Sequence, residues 1–318
     1  MECFIGIDVS AAHLDLAAVP PASALPRRVA NTPAGIAGLI AALTALAPTL
    51  VVCEATGNYH RPLLAALLAA AVPIAVVNPA QVAAFRQTGL GRHKTDRADA
   101  LLLARFAQLH HAEVRRATLD EPAHARLRAL VGYRDDLVAR RTRLRNQRHA
   151  AAWAGEASVV AWLDADLAAV AARLTEVEQA IATLLDALPE TPALTAAVGV
   201  GPLVAAAVLA YLPAGVLGCP KAAAAYAGVH PKHDQSGQHA TSRLSKQGCP
   251  ALRRYLYLAA LAAIRHDPVI RVWYDRLRAR GKAVKTAVCA VMHKLLRQMM
   301  GRLRASRAAS SVPRPLAA

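Results

Sequence analysis

Two acidic residues lie at the ends of apolar segments, where a carboxylate could meet a metal ion. Asp8 is near the end of an apolar run at 3–9 that is rich in β-branched residues, and Glu54 ends a second run at 50–54. Both runs predict short buried strands. Acidic residues are depleted within strands, so a carboxylate at a strand end is a stronger signal than one on a helix surface. The two residues therefore predict a carboxylate site at one edge of a sheet.

A second pair of acids lies in the segment Lys94-Thr95-Asp96-Arg97-Ala98-Asp99. The predicted helix spans 95–109, and the spacing of Asp96 and Asp99 projects both from one face. Mg²⁺ prefers oxygen ligands, and phosphoryl transfer often uses two metal ions bridged by several carboxylates. With Asp8 and Glu54 the pair predicts a site for two Mg²⁺ or Mn²⁺ ions. Each acid also has a structural interpretation, as a helix cap, a turn cap or a solvated surface residue.

A serine in a polar, basic loop is the second group that could do chemistry. Ser236 precedes a glycine in the predicted loop between Gly228 and Pro250. The cations and imidazoles around it are His230, Lys232, His233, His239, Arg243 and Lys246. A serine hydroxyl must be activated and positioned to act as a nucleophile, and a cationic loop would stabilise a phosphate there. The residues alone equally predict an ordinary Ser-Gly turn, and Ser242 and Ser245 are equally eligible.

The elements that must position these groups predict an α/β domain followed by helices. The predicted strands are 3–9, 13–19, 27–30, 50–54 and 73–77, and the predicted helices are 34–46, 60–70 and 95–109. Strands that lead and then alternate with helices indicate a mixed sheet, here a domain over 1–114.

Beyond this domain the periodicity is helical. Two long helices are predicted over a region at 115–188, broken near 153–158. The first is densely basic and includes Arg141 and Arg145, so the hairpin is interpreted either as a dimerising element or as a surface that follows a phosphate backbone. A helical C-terminal domain is predicted at 189–304 and a disordered tail at 305–318.

The charge distribution points to a polyanionic partner. Residues 1–114 carry 8 basic and 7 acidic side chains, residues 115–186 carry 11 and 10, and residues 187–318 carry 19 and 4.

Five separated cysteines without a CxxC pair argue against a disulfide framework and fit a reducing cytoplasm. An uncharged stretch at 191–220 is interrupted by proline and glycine, so it predicts short packed helices and not a membrane span.

The acidic strings resemble a known family. "GIDVS" at 6–10, "CEATGNYH" at 53–60, "VNPAQVAAF" at 77–85 and "HKTDRADALLLARF" at 93–106 are similar, in this order, to the DEDD transposases of the insertion-sequence family one-hundred-and-ten. The resemblance implies a RuvC-like ribonuclease-H fold whose metal ligands are Asp8, Glu54, Asp96 and Asp99. It also implies recombination of a donor and a target DNA, guided by a structured bridge RNA.

The C-terminal strings resemble the same family. "SKQGCPALRR" at 245–254, after a Ser-Gly pair, looks like its transposase domain, in which the serine forms a covalent phosphoserine link to a cut DNA strand. That role maps to Ser236, although Gln235 precedes it where the family more usually has a second serine. The segment 194–212 resembles a helix-hairpin-helix, which either contacts a DNA phosphate or only packs. The family implies a composite site between protomers of a homo-oligomer, a dimer or tetramer, in the bacterial cytoplasm near the nucleoid.

The sequence thus predicts a DNA recombinase with two chemical groups. The expected nucleic-acid contacts are Lys94, Arg141, Arg145, Lys232, Arg243, Lys246, Arg253 and Arg254. One alternative is a RuvC-like junction endonuclease in which the serine is not used. Another is a non-catalytic, basic nucleic-acid-binding scaffold.

Overall fold

The computed structural model describes residues 2–55, 59–87, 95–118, 121–236, 239–244 and 248–310, and within these ranges it describes side chains except at 232–244 and 309–310. The chain forms two compact units, Met1–Leu119 and Asp120–Ala318. The helical hairpin predicted at 115–188 belongs to the second unit together with the C-terminal helices.

The first unit is built on a five-stranded mixed sheet. Its strands are β1 (Phe4–Val9), β2 (His13–Val19), β3 (Arg28–Ala30), β4 (Leu50–Glu54) and β5 (Ile74–Val77). They are ordered β3-β2-β1-β4-β5, with β1, β4 and β5 parallel and β2 antiparallel to both neighbours. All five strands were predicted within two residues. The order and directions are those of the ribonuclease-H fold, so the predicted RuvC-like fold class is confirmed.

Four helices flank this sheet. They are α1 (Pro33–Leu46), α2 (Arg61–Ala69), α3 (Pro79–Gln87) and α4 (Asp96–His110). The α1 helix begins as its sequence predicts, because the Thr32 hydroxyl accepts a hydrogen bond from the Gly35 N–H and Pro33 occupies the first turn. The α3 helix was not predicted, since nine residues with one buried side chain, Val82, give little periodicity.

The two faces of the sheet pack against different helices. Ile5, Ile7 and other residues of one face share a core with α1 and α2. On the other face, Phe4 and Val52 share a core with Leu103 and Phe106 of α4. Because side chains alternate along a strand, the even-numbered residues of β1 and β4 face α4.

The second unit begins with the predicted helical hairpin. Its helices are α5 (Pro122–Trp153) and α6 (Ala157–Asp186), joined by a short turn in which Gly155 has a φ of +76°. Buried leucine, valine and isoleucine side chains line their interface. Arg134 Nε lies 2.8 Å from Glu178 Oε1 across the hairpin, and Arg148 pairs with Asp164 nearer its tip. Some of the dense basic charge of α5 is therefore matched by acids of α6.

The rest of the unit is helical around one small hairpin. Its elements are α7 (Thr191–Thr195), α8 (Pro202–Tyr211), a 3₁₀ turn (Ala214–Val216), α9 (Pro220–Ala227), β6 (Pro231–Ser236), β7 (His239–Leu244), α10 (Pro250–His266), α11 (Pro268–Ala279) and α12 (Val284–Ser310). Their buried side chains form one hydrophobic core with those of the α5–α6 hairpin. In the part of the chain that is described, no helix is long and apolar enough to span a membrane.

Two sequence expectations need correction here. The segment predicted as a loop between Gly228 and Pro250 contains the antiparallel pair β6–β7. It gave no strand signal because its residues are mostly polar and do not alternate. The disordered tail was predicted to begin too early in the chain, since α12 includes 305–310, half of which are the strong helix former alanine. Residues 311–318 lie outside the described part.

The glycine turn between α7 and α8 has a packing role. Gly199 has a φ of +87°, and a Cβ atom there would lie 2.6 Å from the Ala259 oxygen and 2.7 Å from the Ala263 nitrogen of α10. Only glycine permits this approach of two backbones. The contact supports packing as the role of Gly199 in the helix-hairpin-helix-like segment.

Candidate functional site

The sheet places Asp8 and Glu54 side by side. In the parallel pair β1–β4, Gly6 is in register with Val52 and Ile7 with Cys53, so Asp8 and Glu54 come next on the two strands. Both face the α4 side, because each lies two residues beyond a residue of that face. The predicted meeting of two carboxylates at one edge of the sheet is the arrangement that the register produces.

Gly6 brings the second pair of acids to the same place. A Cβ atom at this residue would lie 2.1 Å from the Ala100 oxygen and 2.3 Å from the Ala104 nitrogen, so α4 rests directly on β1. Asp8 lies two residues further along the same face. Asp96 and Asp99 are in the first turn of α4, four residues and one residue before Ala100. The close approach at Gly6 therefore holds the start of α4 beside Asp8.

The start of α4 is fixed by its own cap. The Thr95 hydroxyl accepts a hydrogen bond from the Ala98 N–H at 3.2 Å, so Thr95 and not Asp96 is the capping residue. Asp96 therefore does not act as the cap of this helix. Its side chain is largely exposed and can serve another purpose.

The electrostatics of Asp8 show that the acids converge. Burial, and then the negative charges of Asp99, Asp96, Glu54 and Asp15 in that order of effect, together raise the pKa of Asp8 from 3.8 to about 6. Each of these four charges is negative. The four predicted acids therefore form one electrostatic cluster, and a fifth acid, Asp15, belongs to it.

Sequence reasoning missed Asp15 and the two arginines that pair with the cluster. Asp15 is opposite Asp8 in the β1–β2 register and is buried. Arg28 Nε lies 2.9 Å from Asp15 Oδ1, and Arg28 Nη2 lies 3.2 Å from Asp96 Oδ2. Arg86 Nη2 lies 2.8 Å from Asp99 Oδ1. The sequence signal for Asp15 was an aspartate between two leucines in an apolar strand. Because side chains alternate along β2, this aspartate faces away from the core that contains the two leucines.

The donor set fits a hard divalent cation, although the side chains do not already form a binding cage. Within the described ranges, no three His, Cys, Asp or Glu side chains are grouped closely enough to hold a metal ion. Asp96 and Asp99 each have an arginine partner in this structure. The ligands offered are carboxylate oxygens, the type that Mg²⁺ and Mn²⁺ bind. A cation would also offset the mutual repulsion of these carboxylates, which adds to the effect of burial in raising the pKa of Asp8.

The second unit places Ser236 at the end of β6. In the β6–β7 register Ser236 is opposite His239, and Lys232 is opposite Arg243. Lys232 and Arg243, both predicted phosphate contacts, are thus a directly opposed cross-strand pair in the hairpin that carries the serine. Side-chain positions are not described for this hairpin. Lys94 and Lys246 lie outside the described residues.

The remaining predicted nucleic-acid contacts lie on helices. Arg141 is half-buried and Arg145 exposed on α5. Arg253 donates a hydrogen bond from Nη1 to the Ala227 carbonyl at 3.1 Å, so it has a partner within the fold. Arg254 forms an ion pair with Asp135 while more than half of its side chain is exposed. Arg253 and Arg254 therefore each have a contact that gives them a role within the fold.

The chain matches two models that belong to the same protein family. A DEDD model of that family, described as "Transposase", matches residues 5–152. A second, described as "Transposase IS116/IS110/IS902 family", matches residues 192–275. The first range contains the carboxylate cluster and the second contains the serine hairpin.

Curated relatives and a solved structure are also similar. The pilin gene-inverting protein of Moraxella bovis is 26% identical over 258 residues, which cover 77% of each chain. The insertion element IS110 uncharacterized 43.6 kDa protein of Streptomyces coelicolor is 35% identical over 153 residues, 46% of this chain and 36% of that protein. A T. thermophilus RuvC structure in complex with a Holliday junction substrate is 17% identical and covers 36% of this chain and 99% of that one. Its TM-score of 0.28 is too low to add to the fold assignment made from the strand order. Through its two family matches, the chain belongs to the IS110 family of transposases.

Proposed function

We propose that this transposase cuts and rejoins DNA strands with a carboxylate-bound pair of Mg²⁺ or Mn²⁺ ions and the nucleophile Ser236. The observation that carries the proposal is that the β1–β4 register and the close approach of α4 at Gly6 bring Glu54 and the start of α4, with Asp96 and Asp99, toward Asp8. A cluster of carboxylates at strand and helix ends is a poor way to stabilise a fold, because its members repel one another. It is a suitable ligand set for two-metal phosphoryl transfer.

Asp8, Glu54, Asp96 and Asp99 would hold the ions in this proposal. When bound, the ions supply Lewis acidity at the phosphate and neutralise the charge that develops there. The protein's own contribution is orientation, since β1 and β4 are parallel neighbours and α4 is held against them at Gly6. Arg28 and Arg86 would then give up or share their carboxylate partners.

The serine step is a transesterification that conserves the energy of the phosphodiester. The Ser236 hydroxyl loses its proton as Oγ attacks the phosphorus, and the bond from phosphorus to one deoxyribose oxygen breaks. That oxygen takes up a proton and leaves as a hydroxyl group. The strand remains attached as a phosphoserine ester, and a second deoxyribose hydroxyl can displace the serine to rejoin DNA without an external energy source. Support for this part is the position of Ser236 at the end of β6, in a segment matched by the transposase model.

DNA is the proposed partner, as donor and as target. The excess of 19 basic over 4 acidic side chains at 187–318 supports binding to a polyanion, and the Moraxella relative is named as a protein that inverts a gene. A structured bridge RNA is proposed as the guide from family resemblance. A homo-oligomer in the bacterial cytoplasm, associated with the nucleoid, completes the proposal.

The test is a covalent-adduct assay with wild type, Ser236→Ala and Asp99→Ala. Labelled element-junction DNA is incubated with Mg²⁺, with and without RNA transcribed from the flank of the element, and products are separated on a denaturing protein gel. The proposal predicts a labelled protein–DNA band that requires Ser236, Asp99 and metal, and that increases with the RNA. Free cut DNA that is unchanged in Ser236→Ala would replace it with a metal-dependent junction endonuclease. DNA binding without cutting, unaffected by Asp99→Ala, would indicate a non-catalytic scaffold.

A further inference from the structure

The segments that precede and follow the hairpin carrying Ser236 meet at one point of the second unit. The hairpin follows α9, whose last turn ends at Gly228 with a φ of +67°. After the hairpin, the described chain resumes at Gly248, two residues before α10. The end of α9 and the start of α10 therefore form the base of the hairpin, and the orientation of β6–β7 depends on how this base is fixed.

Gly248 allows the two ends to touch. A Cβ atom at Gly248 would lie 2.3 Å from the Tyr226 oxygen and 2.6 Å from the Gly228 nitrogen, and the φ of +149° is one that other residues rarely adopt. The Cys249 N–H donates a hydrogen bond to the same Tyr226 oxygen at 3.0 Å. Gly248 and Cys249, which follow the hairpin in the chain, are thus in backbone contact with the last turn of α9.

Arg253 completes the join from α10. Its Nη1 donates to the Ala227 carbonyl oxygen at 3.1 Å, and its side chain is half-buried. Carbonyls in the last turn of a helix lack an intrahelical donor, and a guanidinium donor forms a stronger bond than a neutral one. Val229, the residue after Gly228, is buried, so the segment that leads into β6 is anchored beside the same turn.

We infer that Arg253, together with Gly248, is a positioning residue for Ser236: it fixes the base of the β6–β7 hairpin and so sets where the serine is presented. This inference rests on the proposed function for the role of the serine, but the join itself does not. It replaces the expectation that Arg253 is a phosphate contact. It also gives a physical reason for a glycine and an arginine in the segment "GCPALRR".

The experiment compares full-length wild type, Arg253→Ala, Arg253→Lys and the control Arg265→Ala. Arg265 is an exposed residue near the other end of α10, so its replacement removes the same charge from the same helix. Three quantities are measured for each protein: hydrogen exchange of peptides spanning β6–β7, the adduct rate at saturating labelled junction DNA, and the half-saturating DNA concentration at two salt concentrations.

For Arg253→Ala we expect exchange in β6–β7 to accelerate and the adduct rate to fall, each by about tenfold or more, the factor expected for loss of a hydrogen bond to a charged group. The half-saturating DNA concentration and its salt dependence should stay as in wild type. Arg253→Lys, which keeps a charged donor, should recover part of both effects, and Arg265→Ala should show neither. If Arg253→Ala does not fold, Arg253→Lys is compared with wild type instead. A smaller acceleration of exchange in β6–β7 and a smaller fall in the adduct rate are then expected.

A weaker DNA affinity with a smaller salt slope and unchanged hairpin exchange would overturn the inference and make Arg253 a phosphate contact. If wild type forms no adduct, the proposed serine chemistry fails. The exchange measurement still decides in that case whether Arg253 holds the hairpin, so the two failures are distinguishable.

Discussion

Replacing Asp8 with asparagine should stabilise the metal-free protein while removing a proposed metal ligand. The pKa of Asp8 is raised from 3.8 to about 6, first by burial and then by the surrounding acids. Because the folded state binds this proton more tightly than the unfolded state, the ionised carboxylate destabilises the fold above pH 6. At about 1.4 kcal/mol for each pKa unit the full shift would correspond to about 3 kcal/mol, but Asp8 is only half-buried and solvent screens its charge, so the expected cost is about 1–2 kcal/mol. The cost disappears as the pH falls below about 4.

The assay is hydrogen exchange of peptides from β1 and β4 in EDTA, corrected for intrinsic exchange rates, at several pH values between 5 and 8. Asp8→Asn should protect these peptides more than wild type at pH 8, and the difference should narrow toward pH 5. Asp166→Asn, which changes an exposed aspartate of α6, is the matched control and should leave them unaltered. Mg²⁺ should then protect wild type far more than Asp8→Asn. Equal or lower protection of Asp8→Asn at pH 8 would refute the view that Asp8 lies in an unfavourable cluster of negative charge.

Two other substitutions test the framework of the carboxylate cluster. Gly6→Ala should destabilise the first unit by about 3 kcal/mol or more, because its Cβ would lie 2.1 Å from the Ala100 oxygen. The control Gly38→Ala, where the added Cβ meets nothing within 4 Å, should not destabilise it. Equal melting temperatures of Gly6→Ala and wild type would disprove the contact. Arg86→Ala should tighten Mn²⁺ binding, measured by calorimetry, by up to about tenfold, because it removes the guanidinium group that competes for Asp99; weaker binding would show instead that Arg86 orients this ligand.

The sequence was informative about the sheet and its acids for a physical reason. Strands such as β1 and β4 are buried on both faces, so their apolar runs are conspicuous and an acid at the end of each is visible. The spacing of Asp96 and Asp99 fixes their common face without any knowledge of tertiary structure. What placed them beside Asp8 was the missing side chain of Gly6, whose importance depends on the helix that lies over it.

Other parts of the site depend on partners distant in sequence and could not be predicted. Asp15 and Arg28 are 13 residues apart and become partners through the β2–β3 register. The β6–β7 hairpin is polar, so no periodicity distinguished it from a loop. Arg253 appeared to be one more cation in a basic domain, because its hydrogen bond to Ala227 exists only once α9 and α10 are packed together.

The most direct test of the central claim is identification of the residue that becomes attached to DNA. Wild-type protein is incubated with junction DNA, Mg²⁺ and the flank RNA, the DNA is digested with a nuclease, and peptides are analysed by mass spectrometry. The account predicts a nucleotide joined through phosphate to the peptide that contains Ser236, with fragmentation placing it on that residue, and no such peptide from Asp99→Ala. Attachment at a different residue, or cut DNA with no modified peptide, would contradict it.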